Sequence, residues 1–359
     1  MKVRGGAALP SYTKTRQFVR VGIRDELQIV GIGEASPLPP YAGDIASALA
    51  VTLGDALAEL AELDDSLPVR DVVAAAMAPV EARLAALPIA RFALETALFD
   101  AACVRRGVSV AEGLSGKPGF EQVPYNVLLD ASLGGLEAAA TKIAMEPSIQ
   151  AVKVKLRARD DAGFERELLE LWALRRVLPA PFELRLDPNG AWGLDEARRK
   201  LTRLAALSPR YVEQPVSASL LPDLGPTDTP WAADESLCLP GLAERLAEAR
   251  GCQAFILKPA AVGGLTRALA LAELGAAAGF ELVVTHYLDG PVGLAAASEL
   301  ARALPKRPLA CGLEPHAGIA AYPPMRLPHH GSPGFITRPA LPGLGFSDEE
   351  RTNQWLAMA

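Results

Sequence analysis

Short apolar runs recur along the chain from residue 123 onward, and they limit the possible folds more than any other feature. Successive runs begin about 20 to 35 residues apart, and segments with helical periodicity lie between them. The runs are Val123–Leu129, Ala151–Leu156, Glu183–Asp187, Tyr211–Glu213, Trp231–Asp234, Ala254–Lys258, Glu281–Thr285 and Leu309–Cys311. This spacing is the size of a strand-plus-helix unit, in which consecutive strands are parallel. Seven or eight such units favour an α/β fold with a closed (β/α)7–8 barrel of the TIM type over an open doubly wound sheet.

The first third of the chain has a different pattern. Thr15–Ile23 and Leu27–Ile32 alternate apolar and polar residues, which is typical of a β-hairpin. Helical periodicity follows in Asp44–Leu63, Val69–Leu87 and Ile89–Arg106. We therefore expect an N-terminal α+β capping domain at residues 1–120, a barrel that carries the functional site at residues 121–324, and a C-terminal tail at residues 325–359 that packs on the capping domain.

Composition excludes several classes of protein. The formal net charge of −6 and the pI near 5.4 argue against nucleic acid or an anionic membrane as a partner, and a small molecule is expected instead. The four cysteines have no CxxC spacing, which disfavours structural zinc. The sequence shows neither a signal peptide nor an apolar run long enough for a membrane span, so we expect a cytoplasmic protein. An oligomer is compatible with the sequence.

Three of the apolar runs end in a carboxylate. Asp187, Glu213 and Asp234 stand at these ends, 26 and 21 residues apart. The carboxyl ends of parallel strands share one edge of a barrel, so these carboxylates would converge there and repel one another unless a cation neutralised them. Their hard oxygen atoms suit Mg²⁺. Each acid alone is also compatible with capping the next helix, but three in series favour a magnesium site.

Lysines stand on both sides of this carboxylate series. Lys153 and Lys155 are two residues apart in one run, so their side chains point to the same face of the strand. Their mutual repulsion lowers their pKa values toward the range useful for proton transfer at neutral pH. Lys258 ends a later run, beyond the carboxylates. A solvated lysine-rich edge and, for Lys258, a Schiff-base nucleophile are alternatives, but the nearby carboxylates favour proton abstraction α to a metal-bound carboxylate.

These residues together resemble the enolase superfamily, in its muconate-lactonizing branch. That branch has a Lys-x-Lys strand, one metal carboxylate on each of the next three strands, and a lysine on the strand after them. Here this pattern falls on Lys153, Lys155, Asp187, Glu213, Asp234 and Lys258. The resemblance extends over essentially the whole chain, including the capping domain. It implies a bound Mg²⁺ and removal of a proton α to the substrate carboxylate by Lys155 or Lys258.

Further segments favour one activity within the branch. Gly31–Tyr41 and Val123–Leu129 resemble the corresponding segments of the o-succinylbenzoate synthases. The resemblance implies syn elimination of water from a succinyl-hydroxycyclohexadiene carboxylate, with Lys155 as base and then acid, and Lys258 as a cation beside the enediolate. The residues expected to contact the substrate are Pro39, Tyr41, Asn189, Asp289, Gly290 and Gly293, the last two at a helix N-terminus.

Two alternatives stay open. A dipeptide epimerase or N-acylamino acid racemase of the same branch would also use two opposed lysines. The Asp-x-Asp element usual in dipeptide epimerases is missing at Ala310–His316, and Thr285–Gly293 departs from the Glu-Ser-Ser form common in the synthases. A non-catalytic relative is disfavoured because the lysines and acids are intact.

Overall fold

The N-terminal part of the protein is built from two antiparallel strand pairs and a group of helices. In a computed structural model, the described residues are 2–4, 15–24, 29–38, 45–60, 63, 66–130, 136–178, 181–322 and 324–356. Strand β1 (Lys2–Arg4) pairs with β2 (Thr15–Gln17), and β3 (Val19–Arg24) pairs with β4 (Ile29–Ala35). The second pair is the hairpin expected from the alternating pattern.

The helices of this part are α1 (Ile45–Glu59), α2 (Val69–Met77), α3 (Glu81–Leu84), α4 (Pro88–Arg106) and α5 (Val110–Ser115). The segment expected as one helix over Val69–Leu87 is broken by a 3-10 turn at Ala78–Val80. Pro79 lies in this turn, and it has no backbone N–H to continue the α-helical ladder. Helix α4 ends at Gly107, whose φ of 68° is the left-handed conformation that glycine adopts without strain.

Helix α4 lies directly on strand β4, and two glycines make this close approach feasible. A Cβ atom on Gly33 would lie 1.8 Å from the carbonyl oxygen of Ala93, and one on Gly31 would lie 2.3 Å from that of Ala97. Any larger side chain at either position would push the helix away from the strand. Most of α4 is consequently buried, and it forms the centre of the N-terminal core.

The second part of the chain has the alternating strands and helices that the apolar runs predict. Its strands are β5 (Gln122–Pro124), β6 (Val127–Asp130), β7 (Ala151–Lys155), β8 (Glu183–Asp187), β9 (Tyr211–Glu213), β10 (Trp231–Ala233), β11 (Ala254–Leu257), β12 (Glu281–Val284) and β13 (Phe335–Thr337). Strands β6 to β12 pair in chain order and form one curled sheet of seven parallel strands. Strand β5 pairs antiparallel with β13. The expected parallel barrel architecture is thus confirmed.

Helices connect these strands around the outside of the sheet. They are α6 (Leu136–Ala144), α7 (Asp161–Val177), α8 (Leu194–Leu204), α9 (Leu242–Ala249), α10 (Pro259–Val262), α11 (Leu265–Ala277) and α12 (Pro291–Ala303); a further helix, α13 (Asp348–Leu356), follows β13. Local sequence explains their starts: Asp160, for example, caps α7 by accepting a hydrogen bond from Gly163 N at 2.6 Å. None of the helices formed by the described residues is long and apolar enough to cross a membrane.

A short segment after α12 closes the sheet into a barrel. On one side, Leu309 N and Gly312 N donate to Leu282 O and Val284 O of β12, at 3.0 and 2.9 Å. On the other side, Cys311 N donates to Pro124 O, and Cys311 O accepts from the backbone N–H of residue 126. The last apolar run of the sequence therefore takes the eighth position of the barrel, between β12 and the start of β6.

The lower half of the barrel is filled by side chains. An apolar cluster inside it comprises Tyr211, Ala232, Ala254, Ile256 and Val283, with Leu309 packed against them. Arg185 is fully buried beside this cluster, and its guanidinium lies 5.3 Å from the centre of the Tyr211 ring. Asp187 is two residues further along the same strand and faces the same side. The charged strand ends therefore lie above a closed floor.

A buried ion pair connects the C-terminal helix to the N-terminal helices. Asp100 of α4 accepts hydrogen bonds from Arg351 Nε and Nη2 of α13, at 3.1 and 3.0 Å. The same carboxylate accepts from the backbone N–H groups of Ile32 and Leu344. Both side chains of the pair are almost completely buried. The division of the chain at residues 120 and 324 stays a prediction.

Replacing Arg351 by methionine should destabilise the protein strongly, because it leaves the buried Asp100 carboxylate without its cation. Loss of one partner of a buried ion pair lowers the free energy of unfolding by about 3 to 5 kcal/mol, measurable by urea denaturation. The matched control is Arg338→Met, whose partner Glu121 is exposed; exposed pairs contribute about 1 kcal/mol or less. Equal losses in the two variants would contradict a central role for the buried pair.

Candidate active site

Neighbouring strands bring the acids predicted from the sequence to one end of the barrel. Asp187 and Glu213 are the last residues of β8 and β9, and Asp234 directly follows β10. Because β8, β9 and β10 are adjacent in the sheet, the three carboxylates form a row along its edge. All three are almost fully buried. This row is the arrangement that the sequence pattern predicts.

Each carboxylate in the row contacts a lysine ammonium. Lys153 Nζ lies 2.8 Å from Asp187 Oδ2 and 2.5 Å from Glu213 Oε1, so it bridges these two acids. Lys155 Nζ donates to Asp187 Oδ2, and Lys258 Nζ donates to Asp234 Oδ2. The lysine side chains are slightly more accessible than the acids, with between 12% and 18% of their surface exposed. The ammonium groups therefore line the floor of the barrel mouth.

The lysines stand on opposite sides of the mouth. Lys155 is the last residue of β7, and Lys258 directly follows β11. Four strand positions separate β7 from β11 in a barrel of eight positions, counting the closing segment. Side chains four positions apart in such a closed ring face one another across its centre. A molecule held between Lys155 and Lys258 would be in reach of an ammonium or amine on each face.

Burial and neighbouring charges shift the pKa values of the lysines in different directions. For Lys155, burial lowers the pKa, and the ammonium groups of Lys153 and Lys258 add to this effect against the attraction of Asp187. For Lys258, burial is outweighed by the carboxylates of Asp234 and Glu235, which raise the pKa. For Lys153, burial is outweighed by the carboxylates of Asp187 and Glu213, which raise the pKa, so the expected lowering is wrong for this lysine. Among the three lysines, Lys155 is therefore the one best suited to accept a proton near neutral pH.

The acids also differ from one another. Burial raises the pKa of Glu213 to about 8, and the neighbouring carboxylates of Asp187 and Asp234 act in the same direction against Lys153. For Asp187, burial is outweighed by Lys153 and Lys155, which hold its pKa well below the usual range. Buried carboxylates that lie this close together stay ionised only where positive charge lies beside them.

The donor set fits a magnesium ion in its chemistry. Asp187, Glu213 and Asp234 supply hard oxygen ligands from three adjacent strand ends, as Mg²⁺ prefers. Within the part of the chain that the structure describes, however, no three His, Cys, Asp or Glu side chains are grouped in a metal-binding arrangement. The carboxylates are turned toward the lysines instead. The metal-binding role of these acids accordingly stays a prediction.

Asn189 lies beside Lys155, close to the position expected for a substrate contact. Its Oδ1 atom accepts a hydrogen bond from Lys155 Nζ at 2.8 Å, and its backbone N–H donates to Asp187 Oδ1 at 2.8 Å. Its φ of 52° is left-handed, a conformation that asparagine adopts more readily than most residues. Asn189 thus orients both a lysine and an acid of the site.

The loop after β12 contains the other expected contacts, and they are packed more tightly than the sequence indicates. Asp289 is 2% exposed, and its Oδ2 atom accepts from Tyr287 N at 2.8 Å. A Cβ atom on Gly293 would lie 2.6 Å from Asp289 Cβ, and one on Gly290 would lie 2.2 Å from Glu34 Oε1. A carboxylate of the protein therefore already lies next to the N-terminus of α12. Pro39 and Tyr41 lie outside the described residues.

Two residues near the mouth were missed by the sequence reasoning. Glu314 follows the closing segment, where alternation from Gly312 turns it inward, and its Oε2 atom accepts from Leu128 N at 3.1 Å. Burial raises the pKa of this carboxyl. Tyr287 lies with its ring centre 5.9 Å from Lys258 Nζ. An Asp-x-Asp pattern cannot reveal a single glutamate at the same strand end.

Comparison with known proteins identifies the family. Residues 135–351 match the model of the family described as Enolase C-terminal domain-like. The chain belongs to this family. Its relatives include an o-succinylbenzoate synthase from Thermobifida fusca, 34% identical over 60% of this chain and 67% of the relative. A muconate cycloisomerase from Acinetobacter lwoffii is 30% identical over 79% of this chain and 73% of the relative. The expected membership of the enolase superfamily is confirmed, and the protein is an enzyme of this superfamily.

Solved structures confirm the fold over almost the whole chain. Muconate lactonizing enzyme from Pseudomonas putida superposes with a TM-score of 0.78 at 24% identity, covering 99% of this chain and 97% of the other. A dipeptide epimerase from Methylococcus capsulatus, complexed with Mg and the dipeptide L-Arg-D-Lys, has a TM-score of 0.74 at 25% identity and covers 92% of both chains. Among the relatives found by sequence, a D-Ala-D/L-Ala epimerase from Cytophaga hutchinsonii is 30% identical over 58% of this chain and 56% of the relative.

Replacing Lys153 by methionine should destabilise the metal-free protein. The change removes the ammonium that bridges Asp187 and Glu213 and leaves two buried carboxylates facing each other. We expect urea denaturation in the presence of EDTA, at a pH well above the Glu213 pKa of about 8, to show a loss of about 3 kcal/mol in the free energy of unfolding. The loss should shrink at lower pH, where one carboxylate becomes protonated.

The control for this experiment is Lys306→Met, which removes a partly exposed partner of Glu281. A pair of this kind contributes about 1 kcal/mol or less. If both variants lost the same small amount, the bridging contact of Lys153 would not hold the carboxylate row together.

Proposed function

We propose that the protein is a Mg²⁺-dependent o-succinylbenzoate synthase of menaquinone biosynthesis. In this reaction, water is eliminated from 2-succinyl-6-hydroxy-2,4-cyclohexadiene-1-carboxylate through an enediolate, so the enzyme is a carbon–oxygen lyase. The observation that carries the proposal is the position of Lys155 and Lys258 on opposite sides of a buried carboxylate row. This arrangement suits abstraction of a proton from a carbon next to a carboxylate.

The two lysines have different roles in this proposal. Lys155 accepts the proton from the carbon α to the carboxylate and then returns it to the departing hydroxyl group, so that the elimination is syn. Lys258 stays protonated between Asp234 and Tyr287 and stabilises the negative charge of the enediolate. Lys153 keeps its ammonium between Asp187 and Glu213 and limits the repulsion between them.

We assign the metal to the carboxylate row. Asp187, Glu213 and Asp234 would hold Mg²⁺, and Asn189 would support Asp187 from the next turn. When bound, the ion would supply positive charge next to the substrate carboxylate and make the α-proton more acidic. The lysines that now contact these acids would then be directed toward the substrate instead.

The substrate name rests on similarity and on a small set of contacts. The relative from Thermobifida fusca at 34% identity, and one from Mycobacterium tuberculosis at 32% identity, are o-succinylbenzoate synthases. These two matches cover 60% and 54% of this chain. We assign the substrate contacts to Pro39, Tyr41, Asn189, Asp289, Gly290 and Gly293. Glu34 lies against Gly290 and forms a buried ion pair with Arg20 at 3.2 Å, so a substrate carboxylate at that helix end would lie beside a carboxylate whose charge is already compensated.

A dipeptide epimerase is the second candidate, and Glu314 is the observation that favours it. This inward-facing carboxylate at the eighth barrel position could hold the ammonium group of a dipeptide. The epimerase relatives of this chain are consistent with such a role. In an epimerase, Lys155 and Lys258 would each act as a base, one for each face of the α-carbon. An N-acylamino acid racemase would need the same lysines but no partner for an ammonium group.

The decisive assay follows the absorbance of the cyclohexadiene substrate with purified protein and Mg²⁺. We expect turnover by the wild type and a fall in kcat of about 10²- to 10⁴-fold for Lys155→Ala, the range that a general base contributes. Lys306→Ala changes a lysine far from the mouth and should leave kcat unchanged. Wild-type protein without turnover would reject the synthase and leave the superfamily membership intact.

Lys258→Arg separates the synthase from the epimerase. Arginine keeps the positive charge but does not deprotonate in proteins, so it can replace a cation and cannot replace a base. A synthase should keep more activity with Lys258→Arg than with Lys258→Ala. In parallel, dipeptides and N-acylamino acids are incubated in D₂O and their α-deuterium content is measured. Exchange of both epimers by the wild type, of which Lys258→Arg loses one and keeps the other, would favour the epimerase or racemase.

The assignment of the metal predicts that Mg²⁺ stabilises the folded protein. At a concentration 100 times its Kd, a ligand that binds only the folded state adds about 2.7 kcal/mol to the free energy of unfolding. Glu213→Gln removes the central carboxylate of the row and should abolish this gain. Glu235→Gln removes a carboxylate that is 45% exposed and should keep it. Urea denaturation of the wild type that does not respond to Mg²⁺ would contradict the assignment.

A further inference from the structure

Gln214, which follows the acid at the end of β9, is surrounded by the ends of three strands. Its side chain is 1% exposed, and its φ of 42° lies in the left-handed region, which is uncommon for residues other than glycine. The backbone turns sharply at this point and directs the side chain away from that of Glu213 toward the end of β10. A conformation with this strain persists where surrounding contacts hold it in place.

The amide of Gln214 uses its full hydrogen-bonding capacity. Its Oε1 atom accepts from Asp234 N at 2.9 Å and from Ser236 N at 3.3 Å. Its Nε2 atom donates to Val216 O and to Ser236 Oγ, both at 2.9 Å. These partners fix the orientation of the amide. In a flipped amide, the NH₂ group would face the backbone N–H groups of Asp234 and Ser236, and donor would meet donor.

The backbone of Gln214 extends the connection to both neighbouring strands. Its N–H donates to Ala232 O of β10 at 2.9 Å, and its carbonyl oxygen accepts from Gly190 N at 2.7 Å. Gly190 belongs to the turn after β8, in which Asn189 N binds the Asp187 carboxylate. One residue thus touches the turns that follow β8 and β10 and directly adjoins the acid of β9.

We propose that Gln214 is a positioning residue that fixes the spacing of Asp187, Glu213 and Asp234 for a divalent cation. The inference rests on the proposed metal site and deepens it. Without the amide, the N–H of Asp234 loses its acceptor, and the strand end that carries this acid can shift relative to the other two. Residues that orient metal ligands in this way typically change metal affinity about 10- to 100-fold when they are replaced.

The test compares two variants of Gln214 with a matched control. Gln214→Met keeps the length of the side chain and removes all four hydrogen bonds, and Gln214→Asn shortens the amide so that it cannot reach Asp234 N. Thr229→Val also removes a buried hydrogen bond, from Thr229 Oγ1 to Leu201 O, but at the opposite end of β10. Mg²⁺ affinity is measured by titration calorimetry at 25 °C, and stability is measured by urea denaturation.

We expect both Gln214 variants to raise the Kd for Mg²⁺ about 10- to 100-fold, whereas Thr229→Val lowers stability and leaves the Kd unchanged. Should Gln214→Met fail to fold, Gln214→Asn provides the same comparison, since asparagine tolerates the left-handed backbone. A wild type that binds Mg²⁺ with variants of unchanged Kd would overturn the role of Gln214 alone. A wild type that binds no Mg²⁺ would overturn the metal site and this inference with it.

Discussion

The structure depends on one electrostatic constraint: carboxylates buried at the ends of barrel strands need positive charge next to them. Asp187, Glu213 and Asp234 have almost no contact with solvent, and repulsion between them opposes the closing of the barrel. Lys153 and Lys258 meet this need within the protein itself, since each ammonium lies against one or two of the acids. The same need for cations underlies the proposed Mg²⁺ site. Stability of the barrel and chemistry at its mouth therefore draw on the same charges.

The barrel separates these two requirements along its axis. Below the charged row, apolar side chains such as Ile256 and Val283 pack inside the strands and supply the burial that holds the sheet closed. Above it, side chains at strand ends and in the following turns are free to vary without loss of that core. Residues such as Asn189 and Gln214 adopt left-handed conformations in these turns. This division explains why one fold supports a synthase, a cycloisomerase and epimerases among the relatives of this chain.

Much of this arrangement could be predicted from the sequence because it depends on short-range rules. Alternation along a strand places Lys153 and Lys155 on one face, and parallel pairing places successive strand ends side by side. Other features depend on contacts that no local pattern contains. The partners of the Gln214 amide come from two different turns, and the approach of Glu34 to Gly290 joins residues that are far apart in the chain. Glu314 does not follow from a motif of two acids, since its inward direction depends on the register of the closing segment.

The ion pair between Asp100 and Arg351 has a consequence for the order in which the protein acquires its structure. The two residues are 251 positions apart in the chain. During synthesis, α4 leaves the ribosome long before α13, so the Asp100 carboxylate has no guanidinium beside it while the barrel strands are still being made. The N-terminal core reaches its final charge balance only once residue 351 has emerged. A nascent chain of this protein therefore carries an N-terminal core with an unpaired Asp100 for most of its translation, because its partner is among the last residues to be made.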